Sequence, residues 1–166
     1  MQKSLISKVL LIMVLCFVSI TVTYGQQKFT ISSYIEQHKK VAQQLMRETG
    51  VPASVILAVA IHESAYGNSR VAKNLNNHFG IKGKNSSKKI RSAYKGYDSV
   101  MLSYNDFIDL LKRKKSTQGM FDKYTSTDYN AWVRGISRSG YSATKGWSSK
   151  VLSTIDRYNL NEFDAK

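Results

Sequence analysis

The chain has 166 residues, a formal net charge of +14 from 25 Lys and Arg against 11 Asp and Glu, and a single cysteine. That length suits one domain able to bury a core without staples, and a lone Cys16 excludes a disulfide framework and cysteine-ligated zinc. The charge points to a polyanionic partner: nucleic acid for a chain kept in the cytosol, an envelope polymer or membrane surface for an exported one.

Lys3 and Lys8 precede Val9–Ile20, an apolar run of the length of a signal-peptide core, and Thr23 and Gly25 supply small residues for cleavage before Gln26. The reading is a signal peptide over 1–25 and a mature domain over 26–166, exported to the periplasm, the cell envelope or the exterior. A retained anchor competes with it, but a span needs roughly 20 apolar residues and this run is shorter. Lipidation at Cys16 is opposed by the bulk of Leu15. Loss of Lys3 and Lys8 leaves 23 cations against 11 anions, a net +12, and no thiol for catalysis.

Ser33 with Glu36 forms a capping box for a first helix, with Tyr34, His38, Val41 and Leu45 at helical spacing and Gly50 as its stop. Val51–Gly67 follows, VPASVILAVAIHESAYG, with seven consecutive apolar residues from Val55 to Ile61. Pro52 suits the first turn of a helix, and a helix apolar on every side is a buried one. Such a helix delivers Glu63 to its C-terminal end, where dipole and apolar surroundings both disfavour the charged carboxylate and raise its pKa. A carboxyl that keeps its proton is what a general acid requires; a solvated Glu at a helix end is the plainer alternative.

Ser69 caps a short helix, Arg70 to Leu75, and Asn76–Gly83 (NNHFGIKG) is a sharply bent loop. Lys84 to Lys89 is a polar, basic loop, and Ile90–Tyr97 suits a short hairpin or extended piece. Asp98 or Ser99 opens a helix with Tyr104, Phe107, Ile108 and Leu111 on one face, ending in the basic run Lys112–Lys115. Gly119 to Thr127 reads as a loop carrying Phe121 and Tyr124. Thr127 or Asp128 opens a helix with Trp132 and Ile136 inside, ending at Gly140. Ser148 or Ser149 starts the last helix, and Leu160 and Phe163 pack back at its end.

His62-Glu63 begins like a zinc-protease helix, but Tyr66 stands where the second His belongs. His38, His62 and His78 lack metal-ligand spacing, so neither a metal nor another cofactor is expected. There is no nucleophile elbow and no phosphate loop, which leaves acid catalysis by a carboxylate as the most economical chemistry.

Five stretches in register resemble glycoside hydrolase family 73: Pro52-Ala53-Ser54, Glu63-Ser64-Ala65-Tyr66-Gly67, Asn76–Gly83, Tyr97-Asp98-Ser99 and Gly140-Tyr141-Ser142. That family is the endo-β-N-acetylglucosaminidase domain of bacterial cell-wall and flagellar peptidoglycan hydrolases. The resemblance covers about Ser33 to Asp164. It implies an α+β, mainly helical, lysozyme-like single domain with a small β-hairpin beside a sugar cleft, and cleavage between N-acetylglucosamine and N-acetylmuramic acid. It also implies Glu63 as catalytic acid and Tyr141 as a cleft residue near the reacting sugar. Family members often carry a second Glu where this chain has Met101, so three routes stay open: the substrate's own N-acetyl group as nucleophile, Asp98 as a substitute carboxylate, or slow or absent cleavage. For Asp98, helix capping is the alternative role.

Tyr66, Phe79, Tyr124, Trp132 and Trp147 are the aromatic candidates for sugar faces, with Asn77 for acetamido groups; Trp132 and Phe79 suit the core equally, and Asn77 may instead shape its loop. The expected partner is peptidoglycan, whose peptide carboxylates attract a cationic chain, with no nucleic acid, no membrane insertion after leader cleavage, and a monomeric state. Rival readings are a lytic transglycosylase on the same fold, a non-catalytic wall-binding module, and a helical nucleic-acid binder, which fits the charge but not the export signal.

Overall fold

The computed structural model describes residues 28–165, so the leader and its cleavage site lie outside the described residues. At its centre is the apolar helix α2, Ala53–Ser64, which follows α1, Ile31–Thr49. Every side chain from Ala53 to Ile61 is buried. Each large aliphatic one among them contributes about 1.5–3 kcal/mol through removal from water. A helix without a polar face must be sheathed on all sides, and α1, α7 (Tyr129–Arg138), α8 (Trp147–Arg157) and a closing 3₁₀ turn (Leu160–Asp164) surround it.

The remaining elements form the walls. Short α3, Arg70–Leu75, is capped by Ser69, whose Oγ accepts from Ala72 N–H at 3.0 Å. Helix α4, Val100–Arg113, packs on α1 through Tyr104, Phe107, Ile108 and Leu111. Its cap is Ser99, not Asp98. A single-turn helix α5, Lys115–Gln118, follows, and a second, α6, Met120–Lys123, replaces the first half of the loop expected over Gly119 to Thr127. Met120 is the reason: it is buried against Gly135 of α7, which draws the segment into the core.

Two helix starts also differ from the sequence reading. The capping box of α1 pairs Thr30 with Ser33, so Ser33 is the inner partner rather than the cap. Gly50 does stop α1, left-handed at φ 80°. Helix α8 begins at Trp147 behind left-handed Gly146, earlier than Ser148, because the Trp147 ring turns inward.

The expected β-hairpin is reduced to one antiparallel bridge, Lys82 with Tyr94, and no strand occurs among the described residues. Side-chain amides occupy the carbonyls that a ladder would use. Asn77 Nδ2 donates to Ile81 and Lys95 carbonyls, and Asn85 Nδ2 donates to those of Ser92 and Tyr94.

The N-terminal end of α2 has no cap of its own, since Pro52 offers no side-chain acceptor. Asp164 supplies one from the far end of the chain. Its carboxylate accepts from Ser54 N–H at 2.8 Å and from the Ser54 hydroxyl at 2.6 Å. Orphan N–H groups at a buried helix start need such a partner.

A buried polar cluster joins α1, the Asn76–Gly83 loop and α4. The Tyr34 hydroxyl lies 2.6 Å from His78 Nδ1 and 2.9 Å from the Tyr104 hydroxyl, while His38 stacks on Tyr104. Burial lowers both imidazoles from 6.5 to about 4, with His38 adding to the effect on His78. Both are therefore neutral in the fold and ordinary when unfolded. Their contribution to stability is complete above pH 6.5 and is lost as pH falls through about 4. The thermal midpoint is expected to drop across that window, and His38→Phe, which keeps a ring there but cannot charge, to flatten the drop. Calorimetry against pH checks this; identical slopes for the two proteins would refute it.

Candidate active site

Glu63 stands at the last turn of α2, half-buried, where the chain leaves the helix through three left-handed residues in succession: Ala65 (φ 49°), Tyr66 (φ 43°) and Gly67 (φ 80°). For two non-glycine residues that conformation costs roughly 1–2 kcal/mol each, so surrounding contacts must hold it. Buried Ser64 donates to Ala60 carbonyl at 2.6 Å and accepts from Gly67 N–H at 2.7 Å. Gly67 faces the Tyr34 and Phe29 rings so closely that a Cβ would meet both at 3.2 Å. Asn68 then clasps the N–H and carbonyl of Phe29.

The Glu63 carboxyl has a defined partner on each side. Oε1 accepts from Trp147 Nε1–H at 2.9 Å. Oε2 faces Gly80, where a Cβ would stand 3.4 Å away and where φ is +65°. Desolvation pushes this carboxyl above the ordinary glutamate value, and the Trp147 hydrogen bond and the charge of His62 pull it part of the way back.

Glu63 opens into a hollow of about 370 Å³ that also exposes Gly80, Lys82, Arg113, Lys114 and Tyr141. Among the described residues Glu63 is the only carboxylate lining it. The Tyr141 hydroxyl donates to Phe79 carbonyl at 2.8 Å, and its ring lies 5.5 Å from that of Trp147. Burial and then the Glu63 charge hold this phenol well above its usual pKa, so it stays a donor. Of the basic run at the end of α4, Arg113 reaches Asp106 at 3.0 Å and Lys114 donates to Ser139 carbonyl at 2.7 Å. Asp106 also takes Lys95 at 2.7 Å and the Tyr97 hydroxyl at 2.8 Å. Burial opposes its charge, but these donors outweigh that and hold its pKa below the usual value. Among the described residues no three His, Cys, Asp or Glu side chains converge as a metal set requires.

The structure brings Glu63, Tyr141, Trp147 and the Phe79 backbone together and separates the other candidates. Trp147 is 5% exposed, so it meets the carboxyl as a hydrogen-bond donor and offers no open face. The Phe79 ring is buried against Phe107 at 4.4 Å; it contributes its carbonyl rather than its face. Asn77 is 1% exposed and its amide is used up in shaping the loop. Trp132 is fully enclosed between Phe121 and Tyr124, donating to Thr125 carbonyl. Tyr124 lines a hollow with Met46 and Gly50, near the opposite end of α2. Tyr66 lines another with His62 and Tyr158, and Asp98 lies in a third beside Lys88 and Lys89. The Trp147–Glu63 pair, 84 residues apart, has no signature in local spacing.

A half-buried carboxyl of raised pKa at a hollow in a mainly helical body can serve as a proton donor. The chain belongs to the glucosaminidase family: the family model, described as mannosyl-glycoprotein endo-beta-N-acetylglucosaminidase, matches residues 39–160. It is 27% identical to the exo-glucosaminidase LytG of Bacillus subtilis over 98% of this chain and 70% of that protein. It is also 27% identical to an autolysin of Enterococcus faecalis, covering 80% of this chain but only 21% of the relative. Two solved structures share the fold, which is lysozyme-like. The catalytic domain of the autolysin Auto from Listeria monocytogenes has TM-score 0.63 at 24% identity, with 85% of this chain and 91% of that one covered. The glycoside hydrolase domain of FlgJ from Salmonella typhimurium has TM-score 0.63 at 20% identity, with 81% and 91% covered.

Gly80→Ala adds a methyl against Glu63 Oε2 at a left-handed position. The methyl itself would stand at contact distance, but φ +65° strains any L side chain there, so the turn facing Glu63 is expected to shift and lower turnover roughly 10- to 100-fold while the cooperative unfolding transition persists. Unchanged turnover in a folded variant would show that the contact does not position Glu63.

Proposed function

We propose that the protein is an exported peptidoglycan hydrolase that cleaves the bond between N-acetylglucosamine and N-acetylmuramic acid, with Glu63 as general acid. The observation that carries this is the half-buried Glu63 carboxyl, raised in pKa and held by Trp147 at the mouth of the hollow. A further relative supports the substrate: peptidoglycan hydrolase FlgJ of Vibrio cholerae is 26% identical over 77% of this chain and 45% of its own length. Export rests on the leader read in residues 1–25, with 26–166 as the catalytic domain.

In this reading the Glu63 proton passes to the glycosidic oxygen as the bond from C1 breaks, and the leaving sugar departs as an alcohol. Trp147 then steadies the carboxylate that remains. Two-carboxylate hydrolysis needs a partner about 5–5.5 Å away for retention or about 6.5–9.5 Å for inversion. Among the described residues no other carboxylate lines this hollow: Asp98 lies in a different one, Asp106 is bound by three donors, and exposed Met101 stands where family members often carry a second Glu. The arrangement favours the substrate's 2-acetamido oxygen attacking C1. Water then opens the cyclic intermediate, and the proton it gives up returns to Glu63. Tyr141, fixed on Phe79 carbonyl, sits where its ring can support that sugar.

Mass spectrometry of purified peptidoglycan incubated with the 26–166 chain tests this. The expectation is fragments ending in reducing N-acetylglucosamine, with Glu63→Gln slower by roughly 10²- to 10⁴-fold. Internal cuts give oligomers and terminal cuts single sugars, which separates endo from exo action. Anhydromuramic ends would reassign the enzyme to the lytic transglycosylases. Wall binding without any product would leave a binding module.

A further inference from the structure

We propose that the hollow formed by the Lys84–Lys89 loop, α3 and Tyr97 binds the peptide-stem carboxylates of the glycan strand being cut. The proposal rests on the peptidoglycan reading above. Between Glu63 and Asp98 the sequence has no acidic residue over 64–97, yet it carries eight cations. Five of these, Lys82, Lys84, Lys88, Lys89 and Arg91, fall within ten residues.

The structure makes this charge concave. A hollow of about 580 Å³ is lined by Lys84, Lys88 and Lys89, with Asn74, Tyr97 and one carboxylate, Asp98. Among the described residues, none of the three lysines makes an ion pair or a side-chain hydrogen bond, and Asp98 pairs with none of them. All three are exposed. Among the described residues only Lys39, Lys95 and Arg113 form ion pairs, with Glu36 and Asp106; what sets Lys84, Lys88 and Lys89 apart is that they share one concavity. The loop is anchored as well: Asn85 donates to Ser92 and Tyr94 carbonyls, which ties it to the bridge at Lys82.

The bridge also connects the two hollows. Lys82 lines the one at Glu63, and Lys84 the basic one, two residues away, or about 7 Å of extended chain. A sugar at Glu63 thus leaves its neighbour's peptide stem beside a concavity of net positive charge, three lysines against Asp98. Stems end in carboxylates, whereas an uncharged chitin-like chain has nothing to place there. Like-signed walls around a concavity concentrate the opposite charge, and salt weakens the effect over a Debye length of about 8–10 Å.

The test uses Glu63→Gln as the parent, so that walls are bound without being cut, and adds Lys84→Gln, Lys88→Gln and Lys89→Gln together. Sacculi freed of phosphate polymers are titrated in co-sedimentation. Half-saturation is expected to rise about tenfold in the triple variant, the sum of three weak exposed pairs. Amidating the stem carboxyls should bring the parent to the variant's level. Equal binding by parent and variant overturns the proposal, as does parent binding that depends on wall phosphate and ignores amidation. With Glu63 intact, the triple variant is expected to cleave uncharged N-acetylglucosamine oligomers like the wild type. Carboxylate-dependent binding with no cleavage of any substrate would count against the hydrolase reading alone, and cleavage indifferent to amidation against the lysine site alone.

Discussion

Burial of α2 on every side from Ala53 to Ile61 is the constraint on which the rest depends. A helix with no polar face has no stable place except the middle, and its two polar ends must then be managed separately. At the start, Asp164 crosses the molecule to cap Ser54, which ties the last described turn to the core. At the finish, the left-handed turn Ala65-Tyr66-Gly67 carries the chain away at once, leaving Glu63 at the boundary between apolar interior and hollow. The carboxyl's position follows from how the helix is buried and how it ends.

The same burial sets the electrostatics. Desolvation raises the Glu63 pKa, and Trp147 limits the rise by donating to Oε1. A carboxyl left with no donor would give up its proton poorly, and one with several would not keep it. Asp106 shows the second case, held charged by Lys95, Tyr97 and Arg113. The turn after Glu63 also rests on Tyr34, a member of the His38–His78–Tyr104 cluster. Acid that charges the cluster therefore strains the support beneath the turn that follows Glu63. His78 adjoins Phe79, whose carbonyl anchors Tyr141, so the cluster bears on the hollow from two sides.

Where local chemistry decides structure, the sequence was legible. The apolar run Val55–Ile61, the Gly50 stop and the Ser69 cap are each set by neighbours within a few residues, and each stands as read. The family pattern added what spacing cannot, the nearness of Tyr141 to Glu63. Long-range partners were not legible. Nothing near Trp147 announces that its indole faces Glu63, and nothing near Asp164 announces Ser54. Trp132 and Phe79 could not be assigned from sequence for the same reason, because a ring suited to a sugar face is equally suited to a core, and packing encloses both. The hairpin failed through Asn77 and Asn85, whose amides compete for the carbonyls a ladder would use.

Titration of the Glu63 side-chain carbonyl carbon by NMR tests the central claim most directly, that burial raises the pKa of this carboxyl while Trp147 limits the rise. The account predicts a midpoint above the ordinary glutamate value in the wild type, and a further rise in Trp147→Phe, which retains a ring but loses the donor. A midpoint at or below the ordinary value, or one that does not move when the indole N–H is removed, would contradict it.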